Sequence, residues 1–442
     1  PRRYSRRRAA LAAQLSVRDV RPITAFTLCQ MDHTGTYLGA LRGYEWSREA
    51  RSFVDDLQQR ALRKLGISDN RLSRVDESVA LEIAEARVDD FGGDIDAALA
   101  AGRKETTNPD LPTPSELPFW YNILLVYSNE IAAAAAEAGK PLAFRPMLAT
   151  LPSGHVNAVT ALVPDTRDQY VILFEAGLFG FLNLVSKCVA SVLLTTARLG
   201  DLIELDLDKP WRVSREDVSR FFDVYGAYIV AGNPMYASRY LPSRDLLPIH
   251  HTLLQGAEYF VLGHELGHVI EGHFDQGRQV AQVYPGISIE QLPSTWREEL
   301  DADANGFELM LAVARRKQFT AELAYAGAEM FFTAIELLEY ALLAIESGTE
   351  WRKVVQQKYD RLRDSLLRPT PETNLGSHPP PAMRRDYLRQ LAGTTPPAET
   401  ARRANLLAER VTEIMNAVWV ETAPLFERLH ADGVRPAAVW GE

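Results

Sequence analysis

Through Tyr44–Leu65 and Ser78–Arg87, apolar residues recur every three to four positions among mixed charges, which predicts amphipathic helices. Phe119–Ala138 and Ser214–Val230 carry the same period. Ala176–Leu194 and Thr320–Ser347 are apolar on most faces and predict buried helices. Asn183, Ser186 and Lys187 interrupt the first of these, whereas a membrane-spanning helix needs about 20 mostly apolar residues with no central charge. In Ala398–Val418, Leu407, Val411, Ile414 and Val418 fall on one helical stripe, read as core packing ahead of a dimer seam. Shorter apolar runs at Phe144–Thr150, Val156–Val163 and Tyr170–Phe174 predict strands, the last two joined through Pro164–Asp168, and Arg21–Gly35 reads as a further strand and turn. The expected class is mainly α with a small β-sheet (α+β).

Breaks in the pattern suggest an organisation. Thr106–Pro114 is Pro-rich and polar, the best linker in the chain. It divides a helical region at 1–114 from a body at 115–395, with a helical extension at 396–442. Within the body, residues 201–250 form an insertion expected to supply a lid or one wall of a cleft. Asp275–Ser294 and Pro369–Pro381 read as loops, the second carrying His378. The basic run Pro1–Arg8 is followed by no apolar core of a signal peptide and reads as a solvated tail. The acidic stretch Asp89–Asp96 lacks the oxygen spacing and closing glutamate of a calcium loop.

Composition narrows the classes. A net charge of −10 argues against broad nucleic-acid binding. Two cysteines, Cys29 and Cys188, are too few for a disulfide framework and suggest a reducing, cytoplasmic compartment.

The chemistry concentrates in His264-Glu265-Leu266-Gly267-His268, inside a helical pattern of Leu253, Leu254, Ala257, Val261, Leu262 and Val269. Residues four apart stack on one helix face, so His264 and His268 can offer two imidazole nitrogens to one metal ion. Glu265 then lies beside the ion, placed to act as a general base on water. A catalytic zinc site takes a third protein ligand. Ten residues after His264, where one family of such sites has a histidine, stands Phe274, and His273 points off the face. A glutamate from a separate helix is the better candidate. Glu299 has Asp303 one turn on, able to accept the other ring N–H of His264, whereas its rival Glu298 has Ala302 there. His250 and His251 lie several turns before His264 and read as structural; His33 reads as a turn residue.

Four separated pieces of the chain resemble gluzincin endopeptidases of the CAAX prenyl protease and heat-shock membrane protease type, between about Asn157 and Leu388. HELGHVIEGH is similar to that family's HExxHxxxxH, and EELDADANG to its ExxAD signature. Val156–Val159 with Tyr170–Leu178 is similar to its strand, hairpin and helix start, and Ser377–Pro380 with Arg384 to its T-H-P-x-x-x-x-R segment. The resemblance implies a zinc ion held by His264, His268 and Glu299, and a small sheet whose edge strand, carrying Asn157 and Ala158, pairs with an extended peptide or protein substrate. Many members of that family are membrane proteins; this chain shows no matching anchor. His378 and Arg384 are candidate donors to the oxyanion of a tetrahedral intermediate, His378 alternatively capping the open metal position. The expected function is zinc-dependent peptide hydrolysis with Glu265 as base. A catalytically silent metallopeptidase-like module with a regulatory or interaction role competes with it, and oligomeric state is left open.

Overall fold

The computed structural model describes residues 46–65, 80–85, 88, 92–105, 110–141, 147–166, 169–193, 195–199, 202–205, 211–243, 245–271, 279–284, 287–291, 296–317, 319–367, 378–393 and 398–437. Among them the chain is mainly helical with a small sheet, as the periodicities predict. Pro1–Arg8, Arg21–Gly35 with Cys29 and His33, and His273 lie outside the described residues.

The sheet begins with β1 (Met147–Leu151), β2 (Ala158–Leu162) and β3 (Tyr170–Glu175), with β3 central, parallel to β1 and antiparallel to β2. Alternation divides its side chains between two faces. Met147, Ala149, Leu151, Val171 and Leu173 pack against Ala50, Val54, Leu57 and Ala61, which recur at helical spacing on α1 (Arg48–Leu65). Leu148, Ile172 and Phe174 face the main helical core. Gln58 of α1 reinforces the docking, donating from Nε2 to Glu116 Oε1 (2.8 Å) and to the Thr150 carbonyl (2.7 Å). A β4–β5 ribbon (Thr195–Leu199 and Leu202–Leu205) follows α4 (Ala176–Val192).

Within the segment read as a loop at 275–294, the described residues form two paired strands instead. β6 (Gln279–Tyr284) and β7 (Ile287–Gln291) are antiparallel, and β7 joins β2 through Ala161 and Gln291, so the sheet runs β1-β3-β2-β7-β6. In the sequence, Pro-Gly at 285–286 is a signal that suits a loop and the break between two extended runs alike.

Helix ends follow local chemistry. Asp94 Oδ1 accepts from the backbone N–H groups of Asp96 and Ala97, both at 3.0 Å, at the start of α2 (Ile95–Glu105). Pro118 opens α3 (Pro118–Glu137), and Ser214 and Asp217 form a capping box on α5 (Arg215–Ala231). The charge interrupting α4, Lys187, is buried and paired with Glu82. No described helix is long and apolar enough to cross a membrane.

The core is built around α6 (Leu247–Ile270), which lies against α7 (Trp296–Arg316), α8 (Ala321–Ser347) and α4. Small residues set how close these axes come. A Cβ on Gly306 of α7 would stand 2.8 Å from the His264 nitrogen and 2.9 Å from the Phe260 carbonyl oxygen, so only glycine permits this approach. After α8 come α9 (Trp351–Leu367), α10 (Pro381–Gly393) and α11 (Ala398–Ala431). Leu407, Val411, Ile414 and Val418 are buried in the core, and α11 runs beyond the predicted stretch, through Pro424.

Candidate metal centre

Close approach of α6 and α7 assembles the site. Glu299, Asp303 and Gly306 fall at i, i+4 and i+7 on α7, so the face that touches α6 at Gly306 carries both carboxylates toward His264. His264 and His268, one turn apart, turn their Nε2 atoms toward each other at 3.3 Å. Glu299 Oε2 lies 3.6 Å from His264 Nε2, and Oε1 lies 3.6 Å from His268 Nε2. All three residues are buried, and their ligand atoms lie within 4.8 Å of one another. Tetrahedral ligands at about 2.0 Å from a metal stand about 3.3 Å apart. The group can hold a metal ion. Glu298, the rival, is buried but is not one of these three.

Behind His264, its Nδ1 meets Asp303 Oδ1 at 2.9 Å. With Nδ1–H given to the carboxylate, the Nε2 lone pair faces the other two ligand residues. Arg384 of α10 holds Asp303 through a fork, Nε to Oδ2 at 2.7 Å and an Nη to Oδ1 at 2.5 Å. Its guanidinium stacks on Phe332, 4.6 Å from the ring centre. Burial pushes the Asp303 carboxyl up, but Arg384 and His264 outweigh it and hold the group below the usual carboxylate range. The atoms of Arg384 that meet Asp303 are committed there, which sets this residue apart from His378. The latter places Nε2 3.4 Å from Glu299 Oε2 with half its side chain exposed.

Glu265 is buried on the same turn and outside the ligand triangle; burial raises its carboxyl above the usual range. Thr160 of β2 donates its hydroxyl to Glu265 Oε2 at 2.7 Å. No motif marks Thr160 in the sequence. Its one signal is an inward position on a strand near the site.

The site opens on a cleft of about 930 Å³. Asn157 and Ala158 line it together with His264, Glu265, His378 and Arg384. Ala158 is the first residue of β2, and Asn157 directly precedes the strand, its carbonyl accepting from Glu175 N–H at 3.1 Å. The edge strand expected here is not an edge: β2 lies between β3, paired along its length, and β7, paired at Ala161, because β6 and β7 extend the sheet on that side; residues 292–295, after β7, lie outside the described residues.

The expected wall from 201–250 is not found: none of its described residues lines the cleft. Its helix α5 packs on α4 and α11 instead, because Phe221, Val224, Tyr225 and Ile229 bury their apolar stripe there. The wall comes from α8 and from α9, whose residues Val354, Gln357, Lys358, Arg361 and Leu362 face the cleft. Three of the five are polar, so this face carries no signal; the apolar Trp351, Val355, Tyr359, Leu362 and Leu366, at i, i+4, i+8, i+11 and i+15, are the helical pattern that could have found α9 in the sequence. His250, far from the ligands on α6, bonds Ser186 Oγ through Nδ1 at 2.9 Å, in keeping with a structural role.

No protein-family model, curated protein or solved structure matches this chain.

Proposed function

We propose that the protein is a zinc-dependent endopeptidase, similar to the gluzincins, that hydrolyses peptide bonds in an extended peptide or protein substrate. One observation carries the reading: three ligand atoms from His264, His268 and Glu299 sit at metal-ligand spacing at the head of a cleft, with Glu265 beside them and free of the ligand set. A purely structural metal site needs no such carboxylate. Zinc suits two imidazoles and a carboxylate, and when bound it supplies a Lewis acid that polarises a carbonyl and lowers the pKa of water.

The chain's own residues divide the remaining work. Glu265 accepts a proton from the attacking water and passes it to the leaving amine. Thr160 fixes the orientation of that carboxylate through its hydroxyl. Asp303 sets the tautomer of His264, and Arg384, spent on Asp303, is a positioning residue rather than an oxyanion donor. His378 donates its ring N–H to the carbonyl oxygen as that atom gains charge. Asn157 and Ala158, at the start of β2, lie where an extended peptide would enter. The scarcity of cysteine supports a reducing, cytoplasmic setting.

Metal analysis combined with a peptide-library digest tests the reading. The expected result is about one zinc per chain and cleavage that disappears in Glu265→Gln while the zinc remains. Zinc with no cleavage of any peptide by the parent protein would instead favour a silent, metal-stabilised interaction module.

A further inference from the structure

The α9 wall carries charge that peptide hydrolysis alone does not call for. Three permanent cations line the cleft: Lys358, Arg361 and Arg384. Lys358 is neutralised by Glu339 at 2.5 Å, and Arg384 by Asp303. Among the described residues, Arg361 makes no ion pair or hydrogen bond and is exposed to the cleft. Gln357, one helical turn earlier on the same face, likewise has no partner among the described residues. Two sets of N–H donors therefore stand side by side on one face of α9.

Their place along the cleft is set by the helix pairing. Lys358–Glu339 and Tyr359–Glu336 tie α9 antiparallel to α8, the second bond at 3.0 Å. Three residues further along α9, about 4.5 Å of rise, brings Arg361 toward the level of Ile335 and Phe332. Phe332 stacks on Arg384, which holds Asp303 behind His264. Arg361 thus stands between the end closed by Lys358–Glu339 and the reacting centre. Most of the remaining lining is apolar, with Val156, Phe331, Ile335 and Leu362 among its members, beside the polar Asn157, Tyr359 and His378. Apolar walls beside an open cleft focus the field of a charge at its surface.

We propose that Arg361, with Gln357, is a specificity determinant that selects a substrate carboxylate: an acidic residue carried by an otherwise apolar peptide lying along the cleft. The proposal rests on the endopeptidase reading for the peptide's place in the cleft. Guanidinium offers a fork that matches a carboxylate, and the glutamine amide adds a further donor on the same side.

Binding separates this proposal from catalysis. Fluorescent, C-terminally amidated apolar peptides, each with Asp or Asn at one scanned position, are titrated into zinc-loaded Glu265→Gln protein, in which a bound peptide stays intact. At one position the Asp peptide is expected to bind about tenfold tighter than its Asn twin, as one charge-assisted pair provides. Arg361→Gln should remove that preference, Arg361→Glu should turn it toward a Lys peptide, and Lys358→Gln should leave it in place. A neutral peptide ending in a free carboxylate that gains the same Arg361-dependent tenfold would locate the selected carboxylate at the chain end and still support the proposal. An Asp preference unchanged by Arg361→Gln, or no preference at any position, would overturn it. Peptides that bind with the Arg361 preference but are never cut by the parent protein would sink the endopeptidase reading and leave the carboxylate site standing.

Discussion

Glu299 on α7 and Glu329 on α8 are both fully buried, and both lie within reach of arginines from the short helix α10, yet they are handled in opposite ways. Glu329 is neutralised at hydrogen-bond distance. Arg389 donates to its two oxygens from Nε (3.1 Å) and Nη2 (2.9 Å), and Tyr325 adds a third bond at 2.8 Å. Glu336, two turns along, takes Arg385 at 2.6 Å and the hydroxyls of Tyr340 and Tyr359. Around Glu299 the spacing is different. His264, His268, His378 and Arg384 place nitrogens 3.4 to 3.9 Å from its oxygens. Arg384, which could have come closer, is turned onto Asp303 instead. A buried charge that serves the fold is met by a counter-charge at contact. Ligand atoms that serve an ion are held apart, at the spacing the ion sets.

The largest test of this contrast is Glu265→Gln. The amide keeps the shape and the Thr160 contact but cannot take a proton, so peptide turnover should fall about a thousandfold, about 4 kcal/mol of barrier. Zinc content and melting temperature should stay at the parent's values. A variant that still turned over peptide at a tenth of the parent rate would remove Glu265 from the chemistry.

Arg389→Ala probes the other region. It leaves Glu329 buried without its guanidinium, at a cost of about 3 kcal/mol, the lower end for a broken buried pair because Arg389 keeps about a quarter of its side chain exposed. Denaturant unfolding should report that loss while zinc affinity is unchanged. Replacing both partners, Glu329→Met with Arg389→Met, should restore most of the stability. No comparable double substitution at Glu299 and a ligand histidine can preserve function. If Arg389→Ala lowered zinc affinity and stability together, the two regions would be one network.

Glu116 adds a third way of burying an acid. Its partners, Gln58 and Thr150, are neutral, and burial raises its carboxyl to about 7 from an ordinary 4.5. The folded protein therefore keeps a proton that the unfolded chain gives up between pH 4.5 and 7. Its contribution is fully present below pH 4.5 and declines as pH rises through 7. By pH 6 the loss is about 2 kcal/mol, from about 1.5 units at 1.36 kcal/mol each. Glu116→Gln should flatten that part of the stability profile measured by urea unfolding; an unchanged slope would place the titration elsewhere.

These contrasts were unequally legible in the sequence. His264 and His268 are readable because helix periodicity alone puts them on one face, and Glu299 is preferred to Glu298 because Asp303, not Ala302, stands one turn on. The long apolar helices and the three strands before them follow from local pattern. Pairing is another matter. That of β6 with β7 was hidden by Pro285-Gly286, which suits a loop and the break between two extended runs alike. The direction taken by residues 201–250 depends on which neighbour buries Phe221 and Tyr225, a tertiary fact, so their length suggested a cleft wall that α9 in fact supplies. Thr160 and the commitment of Arg384 to Asp303 are contacts across more than 80 residues of chain, and no spacing encodes them.

The smallest effect comes from the group that joins the two modes of burial, Asp303. It is a fully buried acid neutralised at contact by Arg384, like Glu329 by Arg389, yet its other partner is His264, one of the three residues that could hold a metal ion. Asp303→Asn keeps the volume and can still accept from His264 Nδ1–H, but it loses the charge that holds both that hydrogen and Arg384. Partners of this kind typically contribute 10- to 100-fold to metal affinity. Because the tautomer can survive on an amide oxygen, zinc should bind about tenfold more weakly, about 1.4 kcal/mol, as read by competition with a chelating dye. Arg384→Met, which removes the cation and leaves the carboxylate on His264, should weaken zinc less than Asp303→Asn does. The reverse order would mean that Arg384, and not the carboxylate it braces, governs how His264 meets the ion.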